Sequence, residues 1–403
     1  MTITCGIDWA EAHHDIALVD DEGTVVARAR VEANLAGYTE LVELISAHGG
    51  SPEQTPVAIE TDKNLFVVAL AGAGFTVYPI NPRAVARYRE RHGQAGSKSD
   101  AKDAAVLAHI LRTDAHVHRP LPATTEHASA IKALSRQHQE AIWAMHQTIS
   151  RLRSVLLEFY PQALQAFPKL KHHAATTVLA AAPTPAAGMR LTRRRVEALL
   201  HKCGRRNDPG LADQILANLR TPTLRQPPSV EAALGLTVTG LVDIIAAMRA
   251  AVDALEVELD AQFQTHPLAP ILRSAPGLGP VLSARILAEL GDDPDRFASV
   301  NGVRAFAGTA PVTKASGRSR YVKARKVRNR RLGDACHWWA FAALTRSPGA
   351  RAYYDHRRAV GDHHNAALRN LANKLIGRMW WCLSHSEPWD EATAWPDNIS
   401  AAA

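Results

Sequence analysis

Four acidic residues within the first 103 positions could meet at one point. Asp8 ends the apolar segment Gly6-Ile-Asp, and Glu60 ends the apolar segment Val57-Ala-Ile-Glu. Asp100 and Asp103 lie three residues apart at the start of a predicted helix, so they share one of its faces. Carboxylates that converge repel one another unless a cation lies between them, and Mg²⁺ prefers such hard oxygen ligands. The pattern predicts a Mg²⁺ or Mn²⁺ site that could support phosphodiester cleavage.

Other interpretations of these acids remain open from the residues alone. A single acidic residue is more often a solvated side chain or a helix cap than a metal ligand, and Asp100 could simply cap its helix. Glu11, Asp15 and Asp62 lie near the same predicted strand ends and fit the pattern about as well.

A second group of candidate residues lies far downstream, in a basic segment. Nine Lys or Arg and no acidic residue occur from Lys314 to Arg331, among small and turn-forming residues. Such a segment can approach a phosphate backbone closely, although most charge runs are solvated surfaces. The predicted nucleic-acid contacts are Lys314, Arg318, Arg320, Lys323, Arg325 and Lys326. The hydroxyls of Ser316 and Ser319 lie in the same segment, and nothing local distinguishes them.

Glycines upstream of this segment suggest another backbone contact. The sequence Ala275-Pro-Gly-Leu-Gly-Pro280 precedes an apolar helical pattern and resembles a helix-hairpin-helix element. Gly277 and Gly279 permit a tight turn whose N–H groups can hold a DNA phosphate. A plain glycine-containing turn between two helices is the alternative.

The elements that must position the acids form a predicted α/β domain with a mixed sheet. Three early strands are joined by tight turns and are followed by β-α-β segments. Predicted strands cover 3–8, 15–19, 24–31, 56–60 and 75–79, and predicted helices follow Asn34 and cover 65–73 and 100–111.

The rest of the chain is predicted to be mainly helical. Apolar residues at helical spacing indicate long helices over 125–160 and 241–263. Between them lies an insert over 161–228 that is interrupted by proline and rich in arginine, and we predict that it is irregular. The two long helices could form a coiled-coil stalk or ordinary bundle helices. We predict a catalytic domain over 1–118, long helices over 119–265, a C-terminal domain over 266–390 and a flexible tail over 391–403.

Composition favours a polyanionic partner. The 403 residues carry a formal net charge of +8, with a pI near 9.4, and 46% are hydrophobic, enough for a sizeable core. The four cysteines form no CxxC pair, which argues against a disulfide framework. No signal peptide and no apolar run of about 20 residues is evident, so we expect a cytoplasmic protein without a membrane span.

Taken together, these motifs resemble the DEDD-type insertion-sequence transposases over nearly the whole chain. The resemblance implies an N-terminal domain similar to the Holliday-junction resolvase RuvC, with an RNase H-like fold, and assigns Asp8, Glu60, Asp100 and Asp103 as its acids. It implies that Ser316 attacks a DNA phosphate and forms a covalent link, while Arg318 and Arg320 offset charge on that phosphate. It further implies donor and target DNA, a structured guide RNA from the same element, and a homo-oligomer in the form of a tetramer.

Four alternatives stay open. A structure-selective endonuclease would use the acids and water without Ser316, and a non-catalytic nucleic-acid binder would need neither. An actin-like sugar kinase also starts with a Gly-Ile-Asp strand, but no further phosphate loop is recognisable. Tyr353-Tyr354 lies near His356, Arg357 and Arg358, yet this cluster is too compact for a tyrosine recombinase. His363 and His364 are adjacent and face different ways on a helix, so we expect no metal site there.

Overall fold

The chain forms two compact units. A computed structural model describes residues 2–92, 100–205, 208, 210–317 and 319–396, with the side chains of residues 91, 92, 100 and 101 outside that description. The units cover Met1–Ala123 and Thr124–Ala403. The first combines a mixed sheet with helices and the second is mainly helical, which confirms the predicted fold class at this level.

A five-stranded sheet organises the first unit. Its strand order is β3-β2-β1-β4-β5; β1 and β3 each pair antiparallel with β2, whereas β1–β4 and β4–β5 pair in parallel. Asn34 caps the first helix, as predicted, through a hydrogen bond from Gly37 N to its side chain. The elements are β1 Thr4–Trp9, β2 His13–Val19, β3 Val25–Glu32, α1 Leu35–Ala47, β4 Val57–Ile59, α2 Leu65–Gly72, β5 Val77–Pro79, α3 Pro82–His92 and α4 Asp100–Asp114.

Helices cover both faces of this sheet. Side chains alternate along a strand, so Cys5 and Ile7 of β1 join a core with Leu41 of α1 and Leu70 of α2. Gly6 lies on the opposite face, against α4. Strand β1, which carries Asp8 near its end, is therefore buried on both sides, and packing fixes its position.

Two long helices lie side by side in the second unit. They are α5 Glu126–Phe159 and α11 Pro228–Gln264, and α11 begins well before the predicted start at Leu241. The insert between them is helical, contrary to the sequence prediction of an irregular segment. Proline misled that prediction, because Pro161 and Pro185 occupy first turns, where proline is tolerated. The insert helices are α6 Pro161–Ala166, α7 His173–Ala181, α8 Pro185–Arg190, α9 Arg193–Lys202 and α10 Leu211–Leu219.

One helix, α11, has the length and composition of a membrane span, contrary to the sequence expectation. An 18-residue window of this helix has a mean hydropathy of 1.7, and 33% of that window is buried inside the protein. Val238, Val242 and Ile245 pack with the insert helices in a shared core. A core helix of a protein without membrane spans passes the same test, so this observation is weak evidence for a membrane.

The C-terminal part packs around Trp339, which is fully buried. It contains a β-hairpin that the sequence analysis did not predict, because its strands are charged and exposed and lack the alternation of a half-buried strand. Residues 391–394 form a helix where the sequence predicted a flexible tail, and Glu391 accepts a hydrogen bond from Ser347. The elements are α12 Ala269–Ser274, α13 Pro280–Leu290, α14 Val300–Ala307, β6 Val312–Ser316, β7 Ser319–Lys323, α15 Arg330–Ala343, α16 Pro348–Ala359, α17 His364–His385 and α18 Glu391–Ala394.

Candidate active site

Two of the predicted acids lie at the same level on neighbouring parallel strands, Asp8 near the end of β1 and Glu60 directly after β4. Gly6 pairs with Ala58 and Ile7 pairs with Ile59 in the β1–β4 ladder, so Asp8 and Glu60 are the next residues of the two strands. Adjacent strands lie about 4.8 Å apart. Both acids are half-buried, and strand alternation places Asp8 on the face of the sheet that carries Gly6.

Helix α4 covers this face and reaches it through Gly6. A Cβ atom at Gly6 would lie 2.0 Å from the carbonyl oxygen of Ala104 and 2.5 Å from the amide nitrogen of Ala108. Near the other end of α4, Arg112 donates a hydrogen bond of 3.2 Å to the carbonyl of Asp21, in the turn after β2. That turn is close to the start of β1, so the helix runs antiparallel to β1 and begins near Asp8.

The third acid, Asp103, lies on the side of α4 that faces β4. It is 3% exposed and accepts a hydrogen bond of 2.7 Å from Nε of Arg89 on α3. Leu107, one turn later, packs in a cluster with Ala58 of β4. Asp103 therefore lies toward the end of β4, where Glu60 follows. Nothing in the sequence singled out Arg89, because it is one of four arginines on α3.

Asp15, one of the three other acids that fit the sequence pattern, is held by an arginine. It pairs directly with Asp8 across the β1–β2 ladder, and its two carboxylate oxygens accept hydrogen bonds of 3.1 and 2.9 Å from Arg30. Like charges opposite each other destabilise a sheet, and the guanidinium offsets this repulsion. Glu11 and Asp62 are exposed.

The acids supply the oxygen donors that a hard divalent cation prefers. Among the side chains that the structure describes, no three His, Cys, Asp or Glu residues lie close enough together to hold a metal. The side chain of Asp100 lies outside this description, so the four-acid set predicted from the sequence stays a prediction. Arg89 places a positive charge against Asp103, beside the position where a cation would bind the acids.

The predicted serine lies at the tip of the unpredicted hairpin. Ser316 pairs with Ser319 at the end of the hairpin, where Gly317 begins a tight turn. Gly317 has a φ of +55°, which such turns require and glycine adopts readily. Ser316 is exposed and makes no side-chain hydrogen bond with any described residue. Arg318, predicted to contact phosphate, lies outside the described residues.

The other predicted phosphate contacts give this hairpin a positive surface. Lys314 and Arg320 are exposed on its two strands, and Lys323 lies 4.8 Å from the ring centre of Tyr321. Beyond the hairpin, Arg325 is half-buried and Lys326 is exposed. The arrangement permits contact with a phosphate backbone, and the individual contacts stay predictions.

A buried ion pair anchors the root of the hairpin. Asn329, which caps α15, donates a hydrogen bond of 2.7 Å to Glu289, and Arg136 holds the same carboxylate through bonds of 2.8 and 2.9 Å. Burial alone would raise the pKa of Glu289, but the hydrogen bonds and charge of Arg136 and the Asn329 hydrogen bond lower it. The carboxylate therefore stays ionised. No sequence pattern marks this pair, whose members lie on α5 and α13.

Gly277, a predicted DNA contact, has a packing role in the structure. Its φ is +83°, and a Cβ atom there would lie 2.7 Å from the amide nitrogen of Ala343. Trp339 donates a hydrogen bond of 2.9 Å to the carbonyl of Pro276. Gly279 precedes α13 and has open space around it. Phosphate binding at this turn stays a prediction.

The tyrosines near the C-terminus have structural partners. Tyr353 lies 5.8 Å from the ring of Trp395, and burial raises the pKa of its hydroxyl. The hydroxyl of Tyr354 lies 2.7 Å from Nδ1 of His364. These contacts explain the cluster by packing, in agreement with the expectation that neither tyrosine is a nucleophile.

Comparison with known proteins finds matches to both parts of the chain that carry candidate residues. Residues 5–161 match a family model of DEDD transposases, and residues 269–355 match the model described as the transposase IS116/IS110/IS902 family. The chain is 46% identical, over 100% of its length and 99% of the relative, to the mini-circle putative transposase for IS117 of Streptomyces coelicolor. It is 28% identical, over 100% and 99% of the two chains, to the insertion element IS900 42 kDa protein of Mycobacterium paratuberculosis.

Proposed function

The chain belongs to the IS110/IS116/IS902 family of transposases, enzymes that act on DNA, and we propose that it cuts and rejoins DNA with a carboxylate site and a serine. The observation that carries the proposal is the placement of Asp8 and Glu60 at the ends of adjacent parallel strands, with Asp103 on the helix that covers them.

The sheet supports an RNase H-like, RuvC-like assignment for the first unit. Three strands in antiparallel order followed by two parallel strands, with a helix across the acid-bearing face, agree with what the family resemblance implies. We propose that Asp8, Glu60, Asp100 and Asp103 hold Mg²⁺ or Mn²⁺. The bound ion would supply charge stabilisation to the phosphate under attack. The four carboxylates would hold this ion, and the ion would place positive charge beside the scissile phosphate.

Ser316 is the proposed nucleophile. Its Oγ forms a bond to phosphorus as the bond from phosphorus to the sugar oxygen of the leaving strand breaks. The hydroxyl proton passes to that sugar oxygen, so one phosphodiester replaces another and no water is consumed. Arg318 and Arg320 lie beside Ser316 in the sequence and would offset charge on the transferring phosphate. The exposed hairpin tip allows duplex DNA to reach the hydroxyl.

The proposed partners follow from the family. Donor and target DNA would contact the basic hairpin and Lys326, a structured RNA from the element would pair with both DNAs, and the chains would assemble as a tetramer. The positive net charge permits contact with both nucleic acids. The proposed domains remain 1–118, 119–265 and 266–390, in a cytoplasmic protein.

A metal-dependent endonuclease without a covalent intermediate is the second candidate. One observation favours it: Ser316 has no described hydrogen-bond partner that could accept its proton. In that case the carboxylates would direct water at the phosphate, and Ser316 would only contact the backbone.

Trapping of a protein–DNA adduct separates the two candidates. We expect purified protein, Mg²⁺, the element's noncoding transcript and end-labelled junction DNA to give a labelled band that survives denaturing electrophoresis. The Ser316→Ala variant should lose this band, and the matched Ser319→Ala variant should keep it. Cleavage without any adduct, unchanged in Ser316→Ala, would establish the endonuclease instead. Asp8→Asn should abolish cleavage in either case.

A further inference from the structure

A cavity of about 390 Å³ lies at the root of the hairpin. Gly308 and Thr309 line it just before β6, and Arg328 and Arg330 line it just after β7. Trp143 of α5 and side chains of α15 and α17 complete the wall. Its volume falls in the range of small-molecule sites, which starts at about 300 Å³.

The cavity is strongly cationic. Arg328, Arg330 and Arg369 line it. Within the described part of the chain no carboxylate lies at ion-pair distance from any of the three, although the charge of Arg369 helps to lower the pKa of Asp362. Asp334, the acid in the wall, is already engaged: its Oδ2 accepts a hydrogen bond of 2.9 Å from Gln139 and lies 3.8 Å from Arg285. Guanidinium groups bind phosphate through paired hydrogen bonds, so the excess charge points to a phosphate-bearing ligand.

Contacts with neighbouring residues position two of these arginines, Arg328 and Arg330, before any ligand arrives. The ring of Trp143 lies 5.7 Å from the guanidinium of Arg330 and 5.3 Å from that of Arg331, within cation–π distance. Arg328 packs along Gly308, where a Cβ atom would lie 2.0 Å from its Cδ. A site held in this way loses less side-chain entropy when it binds a ligand.

The remaining polar groups suit the edge of a nucleobase. Asp334 Oδ1 and the exposed Asn365 have no hydrogen-bond partner among the described residues. Burial lowers the pKa of His337, so its neutral ring offers one donor and one acceptor. A carboxylate accepts from the amino group of a base such as cytosine, whereas inorganic phosphate would gain nothing from it.

We propose that this cavity binds one nucleotide of a nucleic-acid strand, turned out of the base stack, with its phosphate on Arg328, Arg330 and Arg369. The base lies against Asp334 and Asn365. Enzymes and RNA-binding modules both read unstacked bases in pockets of this kind. The site lies apart from Ser316 and does not depend on covalent chemistry at the hairpin tip.

Binding of short single strands tests the proposal. Full-length protein is titrated into fluorescein-labelled dC₅, and fluorescence anisotropy gives Kd without divalent ions, so no cleavage is involved. Arg369→Gln and Arg328→Gln should each raise Kd about 10-fold, the loss expected for a charged hydrogen bond. Arg346→Gln, an exposed arginine outside the cavity, should change Kd less than about 2-fold by the same reasoning. Equal effects of all three variants would overturn the proposal.

A second comparison tests recognition of the base. A pentamer of abasic deoxyribose phosphates carries the same charges as dC₅, and we expect it to bind about 10-fold more weakly. Equal affinity would show that only the phosphate is held and would refute a nucleotide site. The same titration with rC₅ shows which nucleic acid the cavity binds. Tighter binding of dC₅ would indicate a DNA strand, and tighter binding of rC₅ would indicate an RNA strand. Thermal unfolding of each variant checks its fold, and Arg328, which is exposed, can be replaced without disturbing a core.

Discussion

Replacement of Glu289 should strongly destabilise the second unit. Glu289 is 3% exposed, and Arg136, whose side chain is 21% exposed, holds both of its oxygens. Glu289→Gln keeps the shape but turns an amide N–H toward the guanidinium of Arg136 and removes the negative charge that this guanidinium faces. Removing one partner of a buried pair costs about 3–5 kcal/mol.

The expected shift in melting temperature follows from the size of the unit. Residues 124–403 form one compact unit, and at about 2.1 cal/mol/K per residue the unfolding entropy is roughly 0.6 kcal/mol/K. The loss then corresponds to about 5–8 °C in Tm, measured by differential scanning calorimetry.

Two controls separate charge from shape. The double variant Glu289→Gln/Arg136→Met removes both charges and should recover most of the lost stability, because a buried pair contributes little beyond its own desolvation. Glu197→Gln breaks the exposed pair with Arg193 and should shift Tm by less than about 1 °C. If Glu289→Gln melts within about 1 °C of the wild type, the carboxylate does not anchor the hairpin root as argued.

Two further predictions concern the first unit and acid stability. Gly6→Ala should abolish DNA cleavage and lower the free energy of unfolding of the first unit, measured in urea, by at least about 1–3 kcal/mol, because its Cβ would meet the Ala104 carbonyl. Gly72→Ala, whose Cβ would lie in open space, should be neutral. Full cleavage by Gly6→Ala would show that α4 can move freely. Burial lowers the pKa of both His138 and His266 below the ordinary 6.5. As the pH falls, these two histidines are therefore protonated in the unfolded chain before they are protonated in the folded protein. Their contribution to stability should be fully present above about pH 6.5 and should be lost as the pH drops below it. A calorimetric Tm that rises on acidification would contradict this sign.

Local patterns made the first unit largely predictable. Each of its five strands was predicted within a few residues, because tight turns and apolar runs mark strand ends directly, and the Asn34 cap followed from side-chain chemistry. Which strands are neighbours was less accessible. The parallel pairing that brings Asp8 beside Glu60 depends on contacts about fifty residues apart in sequence. Arg89 could not be found at all, since its role exists only once α3 packs against α4.

In the C-terminal part, by contrast, sequence patterns did not predict the hairpin that carries Ser316. The strands around Ser316 carry charges on both faces and bury nothing, so their pairing is specified by the Gly317 turn and not by a hydrophobic pattern. Proline in the 161–228 insert was interpreted as a helix breaker, although it occupies the first turn of several helices. Hydrophobic periodicity detects what a core requires, and it is least informative where a segment serves a partner outside the chain.

The two candidate parts differ in how they are built, and this difference bears on mechanism. Asp8 and Glu60 lie at the ends of strands that are buried on both faces and cannot shift without disrupting a core. The serine lies on an exposed hairpin whose root is held by the hydrogen bond from Asn329 to Glu289. A hydroxyl without a neighbouring base is a weak nucleophile, so the proposed attack by Ser316 would need activation by groups that DNA binding brings to it. A rigid acid site and a hydroxyl that must be brought to its target are what an enzyme needs if it is to remain inert until the correct DNA is assembled.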